Sequence, residues 1–241
     1  MSLIADRFTS SAARYDATVR IQPVVAAQLA ARLTGKPKNI LEIGCGTGGL
    51  SAHLLKKFPG SDLVLSDISP AMLALCRENI GEKPRYLLID ADNLPQGTDR
   101  YDLIVSSLAL QWVHDLSQTI KNLTGILNPG GRLAFALLGD QNFKEWRLLM
   151  RQFGIASGLH DYPSVANFCW PAPYQGTIEE AFLQEHHENG AAFLKSLKQI
   201  GAATPRAGHK PVSATIMKQA LKASEAGFSV SYHVLYGDLV I

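Results

Sequence analysis

The run Glu42-Ile43-Gly44-Cys45-Gly46-Thr47-Gly48-Gly49 lies between a short apolar burst and a helical pattern. Glycines at such a junction allow turns that a Cβ would obstruct and let the backbone approach a ligand closely. In an open α/β sheet, ligands bind beyond the carboxyl ends of the strands. Gly44, Gly46 and Gly49 also satisfy G-x-G-x-x-G, so a dinucleotide site is a competing reading. Asp67, at the end of the next strand, would accept hydrogen bonds from ribose hydroxyls in either case. Glu42 helps to separate the two, because a carboxylate suits a ligand with an ammonium and a sulfonium better than a pyrophosphate. Asp90 and Ala91 open Asp90-Ala91-Asp92-Asn93-Leu94-Pro95 and could meet an adenine edge, with Asp92 read as solvated. Ser106-Ser107-Leu108-Ala109-Leu110-Gln111-Trp112 sets an amide and an aromatic ring beside the ligand.

Other reactive side chains read as structural. Cys45 fits as a small filler of a tight turn, since nothing near it would clearly lower its pKa. Adjacent strand residues point to opposite faces, so His186 and His187 are no metal pair. His160-Asp161 lacks further ligands at a recognisable spacing, and no metal site is expected.

These residues need elements to hold them. Ile21, Val24, Val25, Leu29 and Leu33 fall near helical spacing within a helical first 35 residues, ended by Gly35 and Pro37. Strands are expected at 39–43, 63–65, 86–89, 101–106 and 132–138. Between them lie helices on Leu50/Leu54/Phe58, after the Ser69-Pro70 cap, and on Leu116/Ile120/Leu123/Leu127. Strands alternating with helices imply a mainly parallel sheet covered on both faces, and right-handed crossovers give it a doubly wound order. Beyond residue 139 the rhythm changes. A helix is expected at 143–153, then an aperiodic stretch with Tyr162, Phe168, Trp170 and Tyr174. A strand at 181–188, helices at 190–200 and 213–223, and an alternating strand at 230–236 complete the chain.

With 241 residues, 46% hydrophobic and 18% charged, the chain can bury a sizeable core. A net charge of +2 does not suggest a nucleic-acid surface. Cys45, Cys76 and Cys169 form no CxxC pair, and an odd count suits no disulfide framework, so a reduced, cytoplasmic setting is expected. Neither a signal peptide nor a membrane-spanning run is apparent in the residues. Lys195, Lys198, Arg206 and Lys210 form a basic rim, by default a solvated face and alternatively a dock for an acidic partner.

E-x-G-x-G-x-G at 42–48, Asp67-Ile68-Ser69, D-x-x-x-L-P at 90–95 and L-x-P-G-G at 127–131 together resemble the class I S-adenosyl-L-methionine-dependent methyltransferases, in order and spacing over 38–138. The opening Phe8-Thr9-Ser10-Ser11-Ala12-Ala13-Arg14-Tyr15-Asp16 with Gln22, the 106–113 segment, 197–202 and 231–237 resemble the malonyl-acyl carrier protein O-methyltransferases of biotin synthesis. The stretch 157–180 departs from that family. The resemblance implies a Rossmann-like, doubly wound, mainly parallel seven-stranded sheet with a final antiparallel strand, N-terminal helices and a small inserted lid. It implies one domain over 1–241, with a cofactor core at 38–138, a lid at 139–181 and completion of the sheet at 182–241.

It also implies S-adenosyl-L-methionine as cofactor, yielding S-adenosyl-L-homocysteine. Gly44, Gly46 and Gly48, with Cys45 and Glu42, would shape the site for its amino-acid moiety. Asp67 would bind ribose, Ile68 and Met72 would pack on adenine, and Asp90 and Ala91 would meet its edge. Ser106 would also contact the cofactor, Gln111 and Trp112 would border the methyl site, Tyr15 would close over the cofactor, and Arg147 would hold a malonyl carboxylate by a bidentate pair. The implied acceptor is malonyl-acyl carrier protein or malonyl-CoA. Other small carboxylic acids, a quinone ring, or a non-catalytic binding role are the alternatives. A malonyl carboxylate is already ionised at neutral pH, so no Ser-His-Asp arrangement is needed; a carbon acceptor would require a base.

Overall fold

The computed structural model describes residues 9, 19–94, 97, 99–200, 206, 208–209 and 212–241. Tyr15 and Lys210 lie outside them, as does most of the expected N-terminal helical region. Helix α1 spans Ile21–Arg32. Then come β1 (Asn39–Ile43), α2 (Gly49–Lys57), β2 (Asp62–Asp67), α3 (Pro70–Ile80), β3 (Arg85–Leu88) and β4 (Tyr101–Ser107). A 3-10 turn at Leu110–Trp112 leads to α4 (Leu116–Thr124), β5 (Leu127–Leu138) and α5 (Lys144–Gln152). The chain closes with β6 (Thr177–His187), α6 (Gly190–Gln199), α7 (Ala214–Lys222) and β7 (Phe228–Val240).

The sheet order is β3-β2-β1-β4-β5-β7-β6. Strands β1 to β5 pair in parallel, and β7 runs antiparallel to both β5 and β6. The doubly wound, seven-stranded sheet is therefore as expected, and order reverses beside β1, where a crevice opens. Alternation along the strands feeds two cores. Ile40, Leu103, Val105 and Ala136 pack with α1 and α2. Leu41, Ile43, Ile104 and Phe135 pack with Ile120 and Leu123 of α4.

Three sequence readings change. Leu127 belongs to β5 and not to the preceding helix: Tyr101 pairs with Leu127, and the register then jumps to Leu103 with Arg132. The bulge carries Asn128-Pro129-Gly130-Gly131, so these residues bend a strand and do not merely end a helix. Second, β6 begins at Thr177, within the 139–181 interval. Third, both faces of β7 are covered, since His233, Val234 and Leu235 are all at or below 1% exposure. Its position between β5 and β6 explains this, and a polar/apolar alternation could not reveal it. The aperiodic aromatics have a place as well. Phe168 and Trp170 sit 6.0 and 5.8 Å from the Phe135 ring and complete the α4-side core.

Candidate active site

The carboxyl ends of β1, β2 and β4 and the segment after β3 surround an opening of about 880 Å³, counting the part exposed to solvent. Ile43, Gly44, Gly46, Asp67, Ile68, Met72, Ile89, Asp90, Ala91, Asp92, Ser107, Leu108, Ala109, Trp112 and Val113 line it. Its walls are thus mostly apolar, with three carboxylates: Asp67 at the end of β2, and Asp90 and Asp92 after β3.

The glycine turn is shaped by its neighbours. Gly44 has φ 72°, and a Cβ there would stand 2.2 Å from the Ala109 Cβ. The first and fourth βα loops can therefore meet only with glycine at this place. Gly48 has φ 98°, and its missing Cβ makes room for Ile80 of α3, 2.6 Å away. That contact anchors the start of α2 and lies outside the opening.

Asp67 is the polar centre of the site. One carboxylate oxygen accepts from the Gly46 N–H and the other from the Ser69 N–H, both at 2.9 Å. Burial raises its pKa, and the backbone donors of Ser69, Gly46 and Ile68 oppose the rise. A carboxylate offers about four acceptor directions, and Asp67 faces the opening, where it can also accept from a ligand hydroxyl. Ser69 caps α3 by accepting from the Met72 N–H, and Pro70 occupies the first turn. Met72 is thereby set into the wall, below the half-buried Ile68.

On the far side, the Asp90 carboxylate accepts from the Asp92 N–H and the Asn93 side-chain amide, at 3.0 and 2.9 Å. Asp92 is exposed, as expected, but it also accepts from the His114 N–H at 2.9 Å, tying the third loop to the fourth.

Four sequence candidates stand behind the lining. Glu42 is 1% exposed and accepts from the Ser51 hydroxyl at 2.6 Å. Burial pushes its pKa up to about 8 against the opposing Ser51 bond, and the Asp67 charge adds to the rise. Its place supports the turn from below. Cys45 is buried, and Cys76 and desolvation push its thiol pKa upward, which suits a filler and not a nucleophile. Ser106 donates to the Ile43 carbonyl at 2.9 Å and joins β4 to β1; its neighbour Ser107 lines the opening. Gly48 packs on α3, as above.

The acceptor side is built by the 3-10 turn and by the chain after β5. Trp112 lines the opening, with the His160 ring edge-on at 5.5 Å. Gln111 donates its amide N–H to the Leu108 carbonyl at 2.8 Å. Arg147 stands apart from the opening. It donates to the Asn142 and His160 carbonyls and lines a separate surface recess with Arg151 and Arg206. Two of its five donors go to backbone, and it lies outside the lining of the opening, so the expected carboxylate clamp is not placed there. Thr9 shares a 2.8 Å hydrogen bond with the Ser69 hydroxyl. Among the described residues, no group of three or more His, Cys, Asp or Glu residues is arranged to hold a metal ion.

The site fits S-adenosylmethionine: a carboxylate facing the opening, an apolar wall for a purine, and a glycine turn that admits close approach. A model described as a methyltransferase domain matches residues 41–133. The chain is 40% identical to a malonyl-[acyl-carrier protein] O-methyltransferase of Magnetococcus marinus, over 94% of this chain and 88% of that one. It is 41% identical to the biotin biosynthesis bifunctional protein BioCD of Bordetella avium, over 98% of this chain and 51% of that longer one. Among solved structures, the YcgJ protein of Bacillus subtilis superposes with a TM-score of 0.59 at 14% identity, covering 90% of this chain and 97% of that one. The N-methyltransferase NodS of Bradyrhizobium japonicum, solved with S-adenosyl-l-homocysteine, gives 0.53 at 15% identity, covering 99% and 98%. These two likenesses speak for the fold. With the relatives' identity and coverage, they place the chain in the malonyl-acyl carrier protein O-methyltransferase family of S-adenosylmethionine-dependent enzymes.

Proposed function

We propose that this chain methylates the free carboxylate of a malonyl thioester, carried by acyl carrier protein or coenzyme A, in the biotin pathway and in the cytoplasm. The observation that carries this reading is the 40% identity to a malonyl-[acyl-carrier protein] O-methyltransferase along 94% of the chain. The opening beside Asp67, with its aromatic wall at Trp112, agrees with it. For the compartment, the support is three free cysteines; no described helix is long and apolar enough to cross a membrane.

When bound, the cofactor supplies an electrophilic methyl group on a positively charged sulfur. Asp67 binds the ribose hydroxyls, Ile68 and Met72 pack on the adenine, and Asp90 and Ala91 face its edge. Gly44 and Gly46 admit the amino-acid moiety, with Glu42 below them. Trp112 and Gln111 border the transfer site. The attacking carboxylate is ionised at neutral pH, so the protein need not remove a proton. Its task is alignment and exclusion of water. Transfer would join a carboxylate oxygen to the methyl carbon as the methyl–sulfur bond gives its electron pair to sulfur, so a cation and an anion would become two neutral groups. The ester hides a charge that an apolar tunnel would reject. In this reading, 38–138 is the cofactor core, 139–176 the cap and 177–241 the completion of the sheet.

The test is release of S-adenosylhomocysteine with malonyl-carrier protein, malonyl-CoA, free malonate and a demethylated quinol offered separately. Turnover with either malonyl thioester supports the proposal. Turnover with the quinol alone would move the enzyme to carbon methylation. Cofactor binding with no turnover on any acceptor would favour a binding role.

A further inference from the structure

Two loops lie side by side over the ends of β4 and β5. The Leu108 N–H donates to the Ala136 carbonyl at 2.8 Å, so the first loop is fastened to β5 shortly before the second departs. In the second loop Asn142 is fully buried, at 0% exposure. Its backbone is satisfied: the N–H donates to the Gly139 carbonyl at 2.9 Å, and the carbonyl accepts from the Arg147 guanidinium at 3.3 Å. Its side chain is not. Neither the amide nitrogen nor the amide oxygen has a hydrogen-bond partner. The same Arg147 donates to the His160 carbonyl, and the His160 ring abuts Trp112 in the wall of the transfer site. Phe143 follows with φ 54° and Leu108 has φ 53°, two left-handed non-glycine residues on the two loops.

A buried amide with both halves unpaired is costly, and leucine would fill nearly the same volume at no such cost. The chemistry of the pair narrows what would satisfy it. A malonyl carboxylate offers acceptors only. An orphan donor beside an orphan acceptor matches a secondary amide, which supplies one C=O and one N–H. The pantetheine arm shared by carrier protein and coenzyme A carries such an amide two methylenes from the thioester sulfur. We propose that Asn142 binds this amide of the acceptor's arm, donating to its carbonyl and accepting from its N–H. Since Asn142 is covered, the arm reaches it by displacing the 139–143 loop that carries it. The proposal rests on the malonyl-thioester reading above and adds the part of the acceptor that the protein recognises.

The experiment compares two small acceptors: malonyl-N-acetylcysteamine, which keeps the amide, and malonyl S-pentyl thioester, which lacks it. With the native enzyme, kcat/KM should favour the first by roughly tenfold or more, the scale of leaving a buried amide unpaired. In Asn142→Leu that preference should fall to near unity, with cofactor affinity unchanged and thermal stability equal or higher. Asn142→Ser, smaller and still polar, gives the same comparison should the leucine variant fold poorly. An unaltered preference in the variants, or no preference in the native enzyme, would overturn the assignment while turnover on both thioesters left the parent reading standing. Failure of the native enzyme on every malonyl thioester would overturn both.

Discussion

Two buried carboxylates bracket the glycine turn, and their environments give them different tasks. Asp67 is held by backbone N–H groups and faces the opening. Asp67→Asn should weaken cofactor binding by about 1.5–3 kcal/mol, the worth of hydrogen bonds to a charged group; calorimetric titration with S-adenosylhomocysteine measures it. Glu42 is buried behind the turn, with its pKa raised from 4.5 to about 8. The folded state therefore holds one more proton than the unfolded chain between those two values. By linkage, this group's contribution to stability falls as pH rises from about 4.5 to about 8 and levels off above. Glu42→Gln should remove that slope while keeping an acceptor for Ser51, which denaturant unfolding between pH 5 and 9 would reveal. Cofactor affinity of the variant should stay near native at pH 7, where Glu42 is mostly neutral. At this scale the sequence was most legible where chemistry demands one residue type, as at Asp67 and Gly44. It was least legible where the phase of a strand decides. Ser106 and Ser107 are identical in type, and only the sheet tells which one faces the opening.

Helix α5 is latched to β7 by the Glu145 side chain. The Glu145 carboxylate accepts from the Ser231 N–H at 2.8 Å and from its hydroxyl at 2.6 Å, fastening α5 across β7. Behind this latch, Phe143 and Trp146 pack on Phe193, with ring centroids 5.0 and 5.7 Å away. Glu145→Ala should cost about 2 kcal/mol, the range of charge-assisted bonds to a partly buried carboxylate. For a chain of this size that is a Tm loss of roughly 4–8 °C. Since α5 carries Arg147, which holds the Asn142 and His160 carbonyls, the KM for the acceptor should rise while cofactor affinity stays. Scanning calorimetry and initial rates check both parts. The alternating helices and strands before residue 139 were legible because each burial pattern is local. The later helices and strands were legible too, but their arrangement was not, because β7 slips between β5 and β6 and Phe168 and Trp170 pack on a strand over thirty residues away. The spacing of neighbours along the chain carries no trace of either.

Over the whole molecule, charge is nearly balanced at +2, so any attraction for an acidic carrier has to be local. Arg147, Arg151 and Arg206 share one recess, where Asp161 pairs with Arg206 at 2.9 Å. Arg151 is exposed and outside the transfer site. Arg151→Glu should raise the KM for malonyl-carrier protein several-fold at low salt, with less effect at high salt and little on malonyl-N-acetylcysteamine. Equal effects on both acceptors would place docking elsewhere. The central claim concerns what receives the methyl group, and the intact mass of the carrier answers that most directly. Malonyl-carrier protein incubated with the enzyme and S-adenosylmethionine bearing a labelled methyl should gain one labelled methyl group. An esterase specific for methyl esters should then remove it. A carrier that stays at its starting mass while the enzyme binds cofactor, or a label that survives the esterase, would contradict carboxyl methylation of a malonyl thioester.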